Sequence, residues 1–336
     1  MVARSSSEEY RRKRRKRLLR ALLFGGAAVG IPAAANAIIA RRNRSLATPG
    51  WGRTHRYAWK LGEISFQRLG SGAPLVCLHS FGPGHDAEEW HDLAERLASR
   101  FEVFVPDLIG WGRSEKPRLS YDGEFYISQI ADFLEDVVAS KAVVLAAGLA
   151  AAYAVQVALD RPQAMRALGL VVPSGIAFSG EEPDVKDALI NRMLRLPIIG
   201  TSALNLYTSL SAIAGHLRRD AYATADRVDA ARIEHHYQSS HQPGSHLALA
   251  AFLSGYLNHR IDENLARLDT PTWIAWGRQA TMPPVEVADL WLSRIPHAEL
   301  EVFEGAGNLP HAEVPVRFQK PLEGFLARHA EPVTPS

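Results

Sequence analysis

Short apolar runs alternate with helical spacings along most of this chain, and that alternation limits its architecture more than any other feature. Residues 64–69, 75–78, 101–105, 143–145, 168–172, 273–276 and 300–303 read as strands, several of them bounded by glycine or proline. Between them apolar residues recur at helical spacing: Trp90, Leu93 and Leu97, then Phe125, Ile130, Phe133, Leu134 and Val137, then the small-residue stretch 149–159 and residues 286–294 and 318–328. Strands that are apolar throughout need cover on both faces, so the pattern predicts a mostly parallel central sheet with helices on both sides. Residues 178–258 break the rhythm with several helical patterns and no clear strand, interrupted by Pro197, Gly200, Gly215, Pro243 and Gly244. They read as a helical insertion, which leaves the α/β core over 57–177 and 259–330.

Ahead of the core the chain changes character. Residues 1–20 carry nine basic and two acidic side chains, a net +7 against +2 for the whole chain, so the remainder carries −5. The basic balance belongs to a tail, and the folded body is not expected to bind nucleic acid. Residues 21–40 contain no charged side chain and as a helix would reach about 30 Å, enough to cross a hydrocarbon core. Basic residues flank the segment, eight before it and three after it (Arg41, Arg42 and Arg44). The positive-inside rule then predicts a cytoplasmic tail, a membrane anchor over 21–40, a polar linker over 41–56 and a folded domain outside the cytoplasm. Two other readings stay open. Pro32 and the small residues Ala35-Asn36-Ala37 also suit a cleavable signal peptide followed by export, and the segment could be a core helix behind a basic tail. Composition is ordinary for a globular chain, and the single cysteine, Cys77, excludes an intramolecular disulfide and a cysteine-built zinc site.

Three stretches carry a resemblance. Residues 75–82 (LVCLHSFG), 107–117 (DLIGWGRSEKP) and 305–318 (GAGNLPHAEVPVRF) match, in order, the strand and loop ending in His-Gly, the Asp-x-x-Gly-x-Gly-x-Ser loop and the final histidine loop of one family. From about residue 57 to 328 the chain resembles the α/β-hydrolase fold with a helical cap, in the layout of epoxide hydrolases, haloalkane dehalogenases and carbon–carbon bond hydrolases. The resemblance implies a nucleophile on a sharp turn between strand and helix, with an acid and a histidine later in the chain.

Those positions do not hold the expected residues. Within VVLAAGLAAAYAVQVA (143–158) the turn is Ala146-Ala147-Gly148-Leu149-Ala150, which puts Gly148 at the nucleophile position. The acid position after Trp276-Gly277 is Ala280, and the histidine position is Asn308. Glycine offers no nucleophile, alanine cannot orient an imidazole, and an amide takes no proton near neutral pH. A plain serine hydrolase would need a serine at a strand–helix turn. Ser174 follows a strand, but no glycine stands two residues before it.

Replacement groups are few. His311 lies three residues past Asn308 and is a candidate displaced base. His79 and Asp107 are read as structural. The cap histidines His235, His236, His241 and His246 are not read as a metal site, because His235 and His236 are adjacent and cannot share a helix face. No metal and no cofactor is expected. Ser80, Phe81 and Leu149 are the candidate pocket and oxyanion-type positions. The sequence therefore points to a membrane-tethered protein of the α/β-hydrolase family without the triad, binding an apolar small molecule above Gly148. The alternative is a hydrolase or lyase of the same fold that uses non-standard groups.

Overall fold

The computed structural model describes residues 29–176, 183–262 and 264–330. The basic tail, the first part of the expected anchor (21–28) and the opening of the insertion (178–182) lie outside the described residues. Among the described residues eight strands make one sheet: β1 (Arg53–Trp59), β2 (Gly62–Gly70), β3 (Ala73–Leu78), β4 (Phe101–Pro106), β5 (Ala142–Ala147), β6 (Met165–Val171), β7 (Thr272–Gly277) and β8 (Glu299–Phe303). Their order is β1-β2-β4-β3-β5-β6-β7-β8. β2 pairs antiparallel with both β1 and β4, and every pairing from β4 across to β8 is parallel.

Helix α1 (residues 29–42) precedes the sheet. α2 (His91–Leu97), α3 (Gly123–Phe133) and α4 (Leu149–Asp160) link successive parallel strands. α5 (Val185–Leu194), α6 (Ile199–Tyr207), α7 (Leu210–His216), α8 (Ala230–Ser240) and α9 (Ser245–Leu253) form the cap between β6 and β7. α10 (Ala288–Arg294), α11 (Pro310–Glu313) and α12 (Pro315–His329) complete the core. This is the α/β-hydrolase fold, a mostly parallel sheet covered by helices and carrying a helical cap.

The local reasons are legible. Every residue of β5 and β7 is buried, as continuous apolar strands under helices on both faces require. α4 is alanine-rich and buried around nearly its whole circumference, so it lies directly on the sheet without large side chains holding it off. β1 corrects the sequence reading. Residues 53–56, expected as linker, already pair with β2, beginning at Arg53 opposite Arg68. The strand is polar because it is the sheet edge, and most of its side chains face solvent.

Two further expectations change. Among the described residues no helix is long and apolar enough to cross a membrane. The described part of the expected anchor forms α1, which docks on the cap through Asn36. Its amide nitrogen donates to Ile198 O and Ser202 Oγ, both at 3.0 Å, and its oxygen accepts from Asn205 Nδ2 at 2.9 Å. The apolar cap residues also divide. Leu204, Leu247 and Leu249 are buried and hold the cap together, whereas Leu189, Ile190, Met193, Leu196, Ile199 and Leu206 are exposed. From the sequence, some of these apolar residues were expected to hold the cap helices together and others to line a cavity over the turn.

Candidate functional site

The turn between β5 and α4 has the geometry that a nucleophile position needs. Gly148 sits at φ +57° and ψ −122°, a conformation that strains any residue with a Cβ. Its N–H donates to Val171 O at 2.9 Å, and its carbonyl accepts from Ser174 N at 3.0 Å. Ser174, the stray serine after a strand, therefore braces the turn through its amide. Leu149 opens α4, so its amide has no carbonyl partner within the helix.

Ser80 faces this turn. A Cβ built on Gly148 would lie 3.3 Å from Ser80 Cβ. The Ser80 hydroxyl is committed elsewhere, in a buried network centred on Glu89. Ser80 Oγ lies 2.5 Å from Glu89 Oε2, His85 Nδ1 lies 2.8 Å from the same oxygen, and His311 Nε2 lies 3.1 Å from Oε1. All four side chains are almost fully buried. Burial alone would raise the Glu89 carboxyl, but the hydrogen bonds from His311 and His85 outweigh it and hold it well below the ordinary carboxylate range. Glu89 is therefore an anion that only accepts, and Ser80, His85 and His311 all donate to it.

That inventory decides the chemistry. His85 Nδ1 also lies 2.8 Å from Ser80 Oγ, but the nitrogen that would have to take the serine proton already carries one. A working relay needs the base to use one ring nitrogen for the nucleophile and the other for the acid. Here serine and carboxylate crowd the same nitrogen. His311, the expected candidate base, stacks on Trp90 at 3.9 Å, and its Nδ1 has no hydrogen-bond partner among the described residues. It points its other nitrogen at Glu89 and is wholly buried.

The other expected positions are structural ties. Asn308 Oδ1 accepts from Thr281 N at 2.8 Å, Nδ2 donates to Met282 O at 3.2 Å, and its backbone N–H donates to Ala221 O of the cap at 2.9 Å. It joins two core loops to the cap. Ala280 is buried in one of those loops, its N–H on Gly277 O. His79 bridges Ser80 O and Leu108 N, and Asp107 accepts from Ala87 N and Arg113 N, as the sequence reading expected of structural residues. Phe81 departs from expectation. It packs edge-on against Trp111, Tyr126 and Tyr153, within 4.8–5.5 Å, as part of the core.

A cavity of about 360 Å³ lies to the side of the turn, between the loop after β3 and α8. Phe81, Leu149 and Asn308 do not line it, and its walls mix apolar surface with polar and charged groups. They include His85, Asp86, Glu89, Tyr222, Arg232 and His235. His235 Nε2 pairs with Asp86 Oδ2 at 2.9 Å, joining cap to core. Burial opposes both charges, but their mutual attraction wins, raising His235 above its ordinary value and holding Asp86 below its own. His236, beside it, donates to Pro83 O at 2.9 Å, and burial pushes it down to about 3, so it is neutral. The two adjacent histidines straddle the same loop. Sequence reasoning had separated them by helix face, but a loop lying against α8 reaches both. Gly84 permits that approach, since a Cβ there would lie 2.3 Å from His236 O. Arg232 donates to the Tyr222 hydroxyl at 2.9 Å. Among the described residues no group of three or more His, Cys, Asp or Glu is placed to hold a metal ion.

Sequence reasoning missed Glu89, His85 and Asp86. The available signal was Glu89 itself, an acid next to Trp90 on the apolar face of a helical pattern.

Comparison with known proteins agrees with the fold. A model of the alpha/beta hydrolase family matches residues 75–319. An uncharacterized protein of Mycobacterium tuberculosis (strain ATCC 25618 / H37Rv) is 28% identical over 277 residues, covering 78% of this chain and 77% of its own. The 2-hydroxymuconate semialdehyde hydrolase of Pseudomonas sp. (strain CF600) is 25% identical over 269 residues, covering 77% and 88%. Among solved structures, a serine hydrolase involved in carbazole degradation superposes with a TM-score of 0.68 at 18% identity, over 82% of this chain and 99% of that one. A membrane phospholipase A superposes with a TM-score of 0.66 at 19% identity, over 95% and 98%.

Proposed function

This chain belongs to the alpha/beta hydrolase family, and we propose that it binds a small molecule without hydrolysing it. One observation carries the reading: the turn that should present a nucleophile holds Gly148, and the serine facing it gives its proton to Glu89 rather than to an imidazole. In a serine protease, loss of the whole triad lowers turnover by roughly a factor of two million. Nothing near Gly148 offsets a loss of that size.

The ligand site in this reading is the cavity beneath α8. Its volume of about 360 Å³ suits a small molecule. The sequence suggested an apolar guest over the turn. The lining of carboxylates, histidines, an arginine and a tyrosine favours a polar, hydrogen-bonding one, since apolar matter there would leave buried polar groups unpaired. A second reading, hydrolysis through Ser80 and His85, draws on their 2.8 Å contact, but proton ownership argues against it.

We also propose that the N-terminal segment tethers the chain to a membrane, with residues 29–40 held on the cap as α1 and residues 21–28 and the basic tail reaching the bilayer. The uncharged segment and its asymmetric basic flanks support this. So does a structural likeness to a membrane phospholipase A that takes in 95% of this chain, where the carbazole hydrolase takes in 82%.

Labelling with a serine-directed fluorophosphonate tests the first proposal. Wild type is expected to stay unlabelled and to leave short activated esters at the background rate. Stoichiometric labelling that Ser80→Ala abolishes would overturn it in favour of the second reading. Flotation of the full chain with anionic vesicles tests the tether, and a chain that stays out of the vesicle fraction would sink it.

A further inference from the structure

We propose that the outward face of the cap, with α1 beside it, lies in the headgroup region of an anionic lipid bilayer. The proposal rests on the N-terminal tether and adds to it a second, larger contact that sets how the cap sits on the membrane.

The observation is a reversal of the usual pattern. A helix on a protein surface turns its apolar stripe inward. Here three neighbouring helices turn one outward. On α5 the stripe is Val185, Leu189 and Met193, at four-residue spacing, with Val185 86% and Met193 55% exposed. On α6 it is Ile199, Ala203, Leu206 and Tyr207, again one face, with Ile199 70% and Leu206 75% exposed. On α1 it is Ile31, Ala34, Ala35 and Ile38, all exposed, while the opposite side carries Asn36 and its bonds to the cap. α5 packs on α6, and Asn36 ties α1 to α6, so the three stripes belong to one region of the molecule. Single exposed apolar residues are ordinary, but outward apolar stripes on three neighbouring helices mark an interaction surface.

The chain itself indicates the occupant. Ahead of α1 the sequence holds the uncharged residues 21–28 and, before them, a tail with a net charge of +7. Basic side chains also fringe the exposed stripes: Arg41, Arg42 and Arg44 at the end of α1, and Lys186 and Arg192 on α5. Four acids also stand near the start of α5 in the sequence, Glu181, Glu182, Asp184 and Asp187, of which Asp184 and Asp187 accept from backbone amides there. Apolar stripes bordered by basic residues suit an interface whose interior is hydrocarbon and whose surface is anionic. A protein partner would need its own acidic rim, whereas a bilayer reached through 21–28 supplies both features at once.

The full chain, reconstituted into phosphatidylethanolamine/phosphatidylglycerol vesicles carrying a spin-labelled lipid, allows a direct test. Met193→Cys, Leu206→Cys and, on the core helix α12, Val316→Cys each provide one reactive site for an environment-sensitive dye, because Cys77 is fully buried. Emission at positions 193 and 206 is expected to shift to the blue and to be quenched by the spin label, with neither change at 316. If the chain floats with the vesicles while the dyes at 193 and 206 stay in water, the cap proposal fails and the tether stands. If the chain does not float at all, the tether fails and the cap proposal with it. If the dyes are shielded but unquenched, and a 206–206 crosslink forms, the face belongs to a second copy and lipid docking is overturned.

Discussion

Glu89 is the residue on which the interior depends most. It is a buried anion that accepts from three donors, Ser80, His85 and His311. Glu89→Ala is expected to cost about 3–5 kcal/mol, and Glu89→Gln about 1–3 kcal/mol, because the amide still accepts through one oxygen. Urea denaturation of both variants measures this, and equal, small losses would contradict the account. Because its pKa is held low in the fold, the stabilisation from Glu89 is present above the ordinary carboxylate value and declines as pH falls through the folded value. At Gly148 the expectation runs the other way from repair. Gly148→Ser restores a hydroxyl but strains the backbone by about 1–3 kcal/mol and meets Ser80, so it is expected to lower the melting temperature and leave ester hydrolysis at background. Appreciable turnover in that variant would mean that a base stands within reach.

Between elements, the contacts that matter are those joining cap to core and α1 to cap. Among the described residues two charged pairs join cap to core, Arg227–Glu313 at 3.7 Å and the closer Asp86–His235, which has Glu88 and Arg113 as charged neighbours. His235 is raised, so its contribution is complete below the ordinary histidine value, about 6.5, and is lost as pH climbs through its folded value. Asp86 is lowered, so its contribution is complete above the ordinary carboxylate value, about 3.9, and is lost on the acid side. Hydrogen-exchange protection along α8, taken relative to the base-catalysed intrinsic rate, should therefore be greatest between roughly pH 4 and 6.5, lower toward alkaline pH, and largely flat across that alkaline limb in Asp86→Asn. An unchanged alkaline loss of protection in Asp86→Asn would assign it to another group. Asn36→Ala removes the bonds that hold α1 on α6. About 1 kcal/mol or more of local stability should go with them, read as faster proteolysis at residues 29–42 while the core is unaffected.

For the molecule as a whole, charge is segregated: a net +7 in the first 20 residues and −5 in everything after. Deleting residues 1–20 is expected to weaken binding to anionic vesicles and to remove most of its salt dependence, at about 1 kcal/mol per basic side chain near the surface. Sedimentation with vesicles at low and high salt measures it, and unchanged, salt-sensitive binding would place the charge contact elsewhere. The architecture was legible in the order of residues because it rests on local periodicity. Buried strands and small-residue helices announce themselves within ten residues, and so did Gly148 on its turn, Ala280 and Asn308. β1 escaped because an edge strand is allowed to be polar. The Glu89 network escaped for a different reason: His311 is 222 residues away from its partner, and no periodicity relates them. The same holds for the direction in which the cap turns its apolar stripes. Local sequence could establish that α5 and α6 are amphipathic, but only the packing of α4, α8, α9 and the sheet beneath them determined which side had no core left to face. Chain chemistry thus determined the fold and which residues stand on its turn and loops. Tertiary structure decided what the remaining polar groups hold, where the cavity lies and what the cap presents outward, since each of these depends on contacts between residues that are neighbours only in space.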